Sequence, residues 1–256
     1  MTADDNSATS GFGFGYGPGV VPLQQSTAVL AAPIRLAILE TDTPQPKALE
    51  RNVSNVLSIS AYDVVNDPES YPALQDVDAV LITGSKATAF HDDPWIVKLV
   101  EYTKRAIDSG VKVVGICFGH QIVGRAMGAK LGTGDKGWEI AVTEVDLTPK
   151  GKEIFQLEKM RIHQMHRDVV FNFPKDAVSL GYNALCRIHS MYSPGKYITV
   201  QGHPEFTEEI MTEILFNRHT SGVFSDDMYA DAMKRSPVPH DGVAIARAFI
   251  KFMREG

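Results

Sequence analysis

Apolar runs and amphipathic stretches alternate through the first half of the chain. Ile34-Arg35-Leu36-Ala37-Ile38-Leu39 reads as a buried strand, followed by the turn-rich Thr41 to Pro46. Lys47 to Ile59 carries a helix pattern and Ser60 to Val65 a strand pattern. Asp76-Val77-Asp78-Ala79-Val80-Leu81-Ile82-Thr83 is a stronger strand. Trp95 to Ser109 sets Trp95, Leu99, Tyr102 and Ala106 at helical spacing, with Gly110 as the stop. Val111 to Ile116 is then a strand and Gly119 to Lys130 a helix. This alternation predicts an α/β fold with a central, largely parallel sheet covered on both faces.

The second half is less regular. Glu139 to Leu147 and Ala177 to Tyr182 are expected strands with antiparallel pairing open to them. Lys196 to Gln201 is a short strand running into Gly202-His203-Pro204-Glu205, and Thr207 to Arg218 and Val243 to Met253 read as helices. No repeat or composition break divides residues 33–256, so one catalytic domain is expected there. Residues 1–32 differ: a polar start precedes Gly11 to Gly19, where glycine alternates with Phe12, Phe14 and Tyr16. This stretch is expected to be a flexible Gly/Ser-rich tail, since such a composition cannot repay the entropy of ordering. It has neither the charge and apolar region of a secretory signal nor the arginines of a mitochondrial leader.

Composition narrows the functional classes. A net charge of -6 with no basic stripe argues against a nucleic-acid partner. No apolar run approaches about 18 residues, so no membrane partner is expected. Two cysteines, Cys117 and Cys186, make no disulfide framework and fit a reducing, cytoplasmic setting. Gly84-Ser85-Lys86 lacks phosphate-loop spacing, and no strand precedes the tail glycines, so no nucleotide cofactor is expected. His163-Gln164-Met165-His166 is read as a loop whose histidines lie near a substrate or the surface; it lacks His-Glu-x-x-His, and no metal is expected.

The chemistry concentrates at Gly115-Ile116-Cys117-Phe118-Gly119-His120-Gln121, where strand gives way to helix. A strand end, two glycines and a helix start together present a nucleophile, although a buried structural thiol is the plainer use of a lone cysteine. A thiolate needs a base, and the base needs a third group to fix its tautomer. His203 ends an apolar strand in a loop fixed by Pro204. Glu205, two residues on, projects to the same side and can reach the imidazole nitrogen that faces away from Cys117. His120 is the competing base, with helix packing as its simpler role, and Glu205 has the alternative of capping the helix near Thr207. Backbone amides of Phe118 and Gly84 are candidate oxyanion donors.

These residues resemble the class I glutamine amidotransferase family, whose triad is Cys-His-Glu. Gly115 to Gln121 is similar to its nucleophile motif and Gln201-Gly202-His203-Pro204-Glu205 to its histidine–glutamate motif. The resemblance implies Cys117 as nucleophile, His203 as base and acid, Glu205 as orienting carboxylate, and Gln121 as a residue positioning the γ-glutamyl substrate. Thr83-Gly84-Ser85 stands where the oxyanion strand belongs, though many relatives carry another glycine-containing sequence there. Within the family the chain looks most like stand-alone GMP-synthase-like members, among them plant γ-glutamyl peptidases and fungal proteins. Asp92-x-Pro94-Trp95-Ile96 and Lys136-Gly137-Trp138-Glu139-Ile140 support this. The resemblance implies a flavodoxin-like three-layer fold in which Gly137 and Trp138 line the γ-glutamyl pocket, with packing beneath the sheet edge an equally simple role for Trp138. By the same likeness Gln164 and His166 belong to a loop where they either touch the distal substrate or only brace the loop. The implied activity is hydrolysis of a γ-glutamyl peptide or conjugate without ATP. The alternatives are a glutaminase that passes ammonia to a separate synthetase subunit, and an inactive binding protein.

Overall fold

A computed structural model describes residues 32–42 and 56–255. Along the chain the elements are β1 (Ile34–Glu40), β2 (Leu57–Asp63), a 3-10 turn (Leu74–Asp76), β3 (Ala79–Ile82), α1 (Pro94–Asp108), β4 (Lys112–Ile116), α2 (Phe118–Ala126) and β5 (Leu131–Thr133). They continue with β6 (Glu139–Leu147), α3 (Pro149–Phe155), β7 (Lys159–His166), β8 (Asp168–Val170), β9 (Val178–Tyr182), β10 (Ser190–Ser193), β11 (Tyr197–Val200), α4 (Glu208–Thr220), α5 (Asp226–Arg235) and α6 (Gly242–Arg254).

Among the described residues, nine strands form one sheet in the order β2-β1-β3-β4-β11-β10-β9-β6-β7, and β5 pairs with β8 apart from it. Neighbours from β2 through β11 run parallel. Those from β11 through β7 run antiparallel, so the sheet is mixed, parallel in its first half only. Alternation along each strand divides the core in two. Ala37, Leu39, Val80, Ile82 and Val113 face α1 and α2 in one layer. Leu36, Ala79, Val114 and Ile116 face α3 and α6 in the other. A third cluster joins α4 and α5 to Ile140 and Met165.

Several boundaries differ from the sequence reading. The helix pattern over Lys47 to Ile59 falls mostly outside the described residues, and its last three positions begin β2, where the parallel register with β1 outweighs helical spacing. β2 accordingly covers Leu57–Asp63 rather than Ser60 to Val65. The strand expected from Asp76 is shortened to Ala79–Ile82 because Leu74–Asp76 forms the 3-10 turn. α2 stops at Ala126, not Lys130, because Gly128 takes a left-handed φ of 86° just beyond it. His163 to His166 lies on strand β7 and is buried, not in a loop. Residues three apart on a strand project to opposite faces, so these two histidines cannot act as a pair of ligands.

Close backbone packing fixes α2 under the sheet. A Cβ on Gly119 would stand 2.2 Å from the carbonyl oxygen of Ile82 in β3. Gly128, by contrast, has open space around it. We expect Gly119→Ala to destabilise the protein by about 3 kcal/mol, since backbone must move, and Gly128→Ala by about 1 kcal/mol of left-handed strain. Denaturant midpoints check this; equal effects would contradict the packing account.

Candidate active site

Cys117 occupies the single residue between β4 and α2. Its φ of 52° and ψ of -103° form a conformation that side-chain-bearing residues rarely adopt. The backbone holds it there: Cys117 N donates to Val200 O of β11 at 2.9 Å, and Cys117 O accepts from Gln121 N at 3.1 Å. A Cβ on Gly115 would meet the backbone of Gly119 at 2.6 Å, so the two glycines of the motif let β4, α2 and β3 approach closely. Phe118 opens α2, where an N–H has no carbonyl one turn earlier.

Because β4 and β11 pair directly and in parallel, their C-terminal ends bring Cys117 and His203 together. His203 is buried, and its N donates to His163 O of β7 at 2.7 Å. Its Nδ1 lies 2.7 Å from Glu205 Oε1, and Phe206 stacks on the ring at 4.0 Å. Nε2 is the nitrogen left for Cys117. Burial opposes charge on the imidazole. The Cys117 and Glu205 charges, with hydrogen bonding from both, outweigh it and push His203 up to about 10. Thr207, rather than Glu205, caps α4 by accepting from Ile210 N. His120 turns away from this cluster: it is wholly buried, its Nδ1 is 2.8 Å from Thr199 Oγ1, and burial, with His189 and His166, pulls it down to about 3.

Gly84 sits against the pair. A Cβ there would be 2.7 Å from His203 Cε1 and 3.7 Å from Cys117 Cβ. The Thr41 hydroxyl donates toward Thr83 O at 3.1 Å and toward Gly84 O at 2.9 Å. In a trans peptide the next N–H points the opposite way, so the Gly84 amide is aimed away from Thr41. Thr41 was not singled out in the sequence, and only its place in a turn-rich stretch hinted at it.

A cavity of about 450 Å³ opens onto Cys117. Of the expected substrate residues, Gln121, Trp138 and His166 line it. Gln121 Nε2 donates to Asp168 O and to Gln201 Oε1, and Gln201 Nε2 reaches Cys117 Sγ at 3.6 Å. Gln164 does not reach the cavity. It is fully buried, with its amide on Thr143 Oγ1 and His189 Nε2. Gly137 is an exposed left-handed turn residue outside the lining. Residues missed from the sequence are Arg218, Lys86 and Val223, which line the cavity from separate elements without a local motif, and Gln201.

Behind the cavity lies a polar core. Glu139 accepts from Thr143 Oγ1 and Asn183 Nδ2, both at 2.6 Å, and its Oε2 is 3.2 Å from His166 Nε2. Burial works against that carboxylate, but His166, His189 and Thr143 hold it down at about 2. Among the described residues no three side chains converge as metal ligands, and no helix is long and apolar enough to cross a membrane.

A thiol beside an imidazole that a carboxylate orients, at the mouth of a cavity, is an arrangement suited to acyl transfer. The family model for class I glutamine amidotransferases matches residues 48–221. The chain belongs to this family. A glutamine amidotransferase-like protein of Schizosaccharomyces pombe is 37% identical over 204 residues, 78% of this chain and 82% of that one. Gamma-glutamyl peptidase 4 of Arabidopsis thaliana is 30% identical over 169 residues, 63% of this chain and 66% of that one. The crystal structure of a glutamine amidotransferase from Thermotoga maritima superposes with a TM-score of 0.68 at 15% identity, covering 87% of this chain and 99% of that one. That likeness establishes the three-layer α/β fold with its mixed sheet. The match to the amidotransferase family spans Cys117, His203 and Glu205.

Three buried histidines make stability depend on pH. Burial pulls His120 down to about 3, and His163 and His189 down to about 4, from the usual 6.5. All three are neutral when folded at pH 5, whereas the unfolded chain binds their protons. Their contribution is therefore complete above 6.5 and is lost as pH falls toward 4, by about 1.4 kcal/mol per group per pH unit. The lowered Glu139 acts in the same direction, but only below its usual 4.5. His203, held charged up to about 10, works in the opposite direction and offsets part of this loss near pH 7. Urea midpoints should therefore fall mainly between pH 6.5 and pH 5; a flat profile there would contradict the burial of neutral imidazoles.

Proposed function

We propose that the chain hydrolyses the γ-amide bond of a γ-glutamyl peptide or conjugate through a thioester on Cys117. The observation that carries this reading is that Cys117 and His203 both stand against Gly84 at the ends of the paired strands β4 and β11, with Cys117 lining the cavity and Glu205 2.7 Å from the far ring nitrogen. The Cys117 sulfur attacks the γ-carbonyl carbon, forming the C–S bond. His203 protonates the departing amine as the C–N bond breaks. Water, deprotonated by His203, then releases glutamate and restores the thiolate. The amides of Phe118 and Gly84 receive the oxyanion, and Gln121, Trp138 and His166 bound the substrate. Membership of an amidotransferase family and the likeness to a plant γ-glutamyl peptidase support the substrate class.

Matched γ-linked and α-linked glutamyl-alanine dipeptides, supplied without ATP, test the reading. Glutamate release is expected from the γ-linked compound at least about tenfold faster, because a pocket shaped for free α-amino and α-carboxylate groups leaves polar groups unpaired with the α-linked one. Equal rates would defeat the specificity. Turnover of glutamine alone would favour ammonia delivery to a synthetase.

Cys117→Ser should lower turnover by about three orders of magnitude or more, and Glu205→Gln by about a hundredfold. Wild-type rates in Cys117→Ser would remove Cys117 from the role of nucleophile. The same assay on Thr41→Val should show a lower kcat with little change in KM, as expected if its hydroxyl only aims the oxyanion loop; a pure KM effect would contradict that.

A further inference from the structure

We propose that Arg167 and Arg218 form a carboxylate-binding wall for the leaving half of the substrate. The preferred substrates are then γ-glutamyl peptides whose amine-side residue carries a free carboxylate. This inference rests on the γ-glutamyl reading above and adds its leaving-group chemistry.

Both guanidinium groups line the cavity that opens onto Cys117, and both lie over Trp138, with Cζ 5.6 Å and 5.0 Å from the ring centroid. Trp138 is itself held edge-on by Phe224 at 5.3 Å, so the indole is a fixed platform. Arg167 and Arg218 contact no carboxylate among the described residues. Arg218 is half-buried, and burial, added to by the like charge of Arg167, pulls it below its usual value. Cys117 and, after it, Asp42 favour its charge; the Asp42 carboxylate already receives Lys86 N at 2.8 Å and lies 3.4 Å from Lys86 Nζ. Two adjacent cations, one of them partly desolvated, lower their energy by gaining an anion.

The charges of the cavity identify that anion. Asp168, at the cavity edge beside Gln121, is the acidic lining residue suited to an α-ammonium group. Glutamine, whose leaving group is ammonia, offers the two guanidinium groups no carboxylate beyond the scissile bond. A γ-glutamyl peptide offers one ammonium and two carboxylates, the second beyond the scissile bond. The volume of about 450 Å³ falls within the range of pockets that enclose ligands larger than one amino acid.

Calorimetric binding to Cys117→Ala protein compares γ-Glu-Gly with γ-Glu-glycinamide, which keeps the shape and removes the charge. We expect γ-Glu-Gly to bind about tenfold tighter, with the preference shrinking as salt is raised. Adding Arg167→Gln or Arg218→Gln should erase most of that preference while the glycinamide binds within about twofold of before. Equal binding of the two ligands, a preference insensitive to salt, or equal weakening of both ligands in the arginine variants would overturn the proposal. The salt series needs neither arginine variant, so the test survives if one fails to fold. Wild-type turnover of γ-Glu-Gly is read in parallel. Preferential binding without turnover would refute the hydrolase reading and leave the anionic specificity standing. Turnover without preferential binding would do the reverse.

Discussion

The structure depends on the backbone of Cys117. Its left-handed conformation costs on the order of 1–3 kcal/mol for a residue with a side chain, and it persists because several contacts fix it together. β11 holds the amide, α2 holds the carbonyl, and Gly115 and Gly119 let three elements close to backbone contact around it. A larger residue at either glycine would push α2 away from β3 and release the turn. The same bond from Cys117 N to Val200 O ties the elbow to the end of β11, from which the chain runs directly into Gln201 and His203. One set of backbone contacts therefore fixes both the thiol and its imidazole.

The antiparallel half of the sheet gives that pair its support. β7 accepts the His203 amide through His163 O, and Gly202 leaves no space between β11 and the Gln164 side chain. Glu139, Thr143 and Asn183 form one hydrogen-bonded group, with His166 Nε2 3.2 Å from Glu139 Oε2, and Gln164 and His189 form another that meets it at Thr143. Buried hydrogen bonds such as these rigidify a core, and each group loses heavily if its partner is removed.

What could be read from the sequence follows from where chemistry is local. The strands β1, β3 and β4 are short apolar runs buried on both faces, and α1 carries a regular apolar stripe, so these showed plainly. The Cys117 and His203 motifs were visible because each is contiguous. β7 was not: Lys159-Met160-Arg161-Ile162-His163-Gln164-Met165-His166 reads as polar, and its burial depends on partners such as Thr143, His189 and Glu139 that lie far along the chain. Alternation of Met160 and Ile162 with charged residues was the available signal. Arg167 and Arg218 come from different elements and meet only over Trp138, so nothing in either neighbourhood announced them. The tail pattern over residues 1–32 lies outside the described residues apart from Ala32.

The account rests on Cys117 carrying the γ-glutamyl group. Acid quenching of the wild-type protein within its first turnover of a γ-glutamyl dipeptide, followed by mass analysis of its proteolytic fragments, tests this most directly. The account predicts a γ-glutamyl mass increase on the fragment holding Cys117. That adduct should disappear as turnover completes and be absent from Cys117→Ala. Cys186 is an internal control, because burial raises its thiol far above the usual range. Glutamate release with no adduct on the Cys117 fragment, or with the adduct on Cys186, would contradict the account.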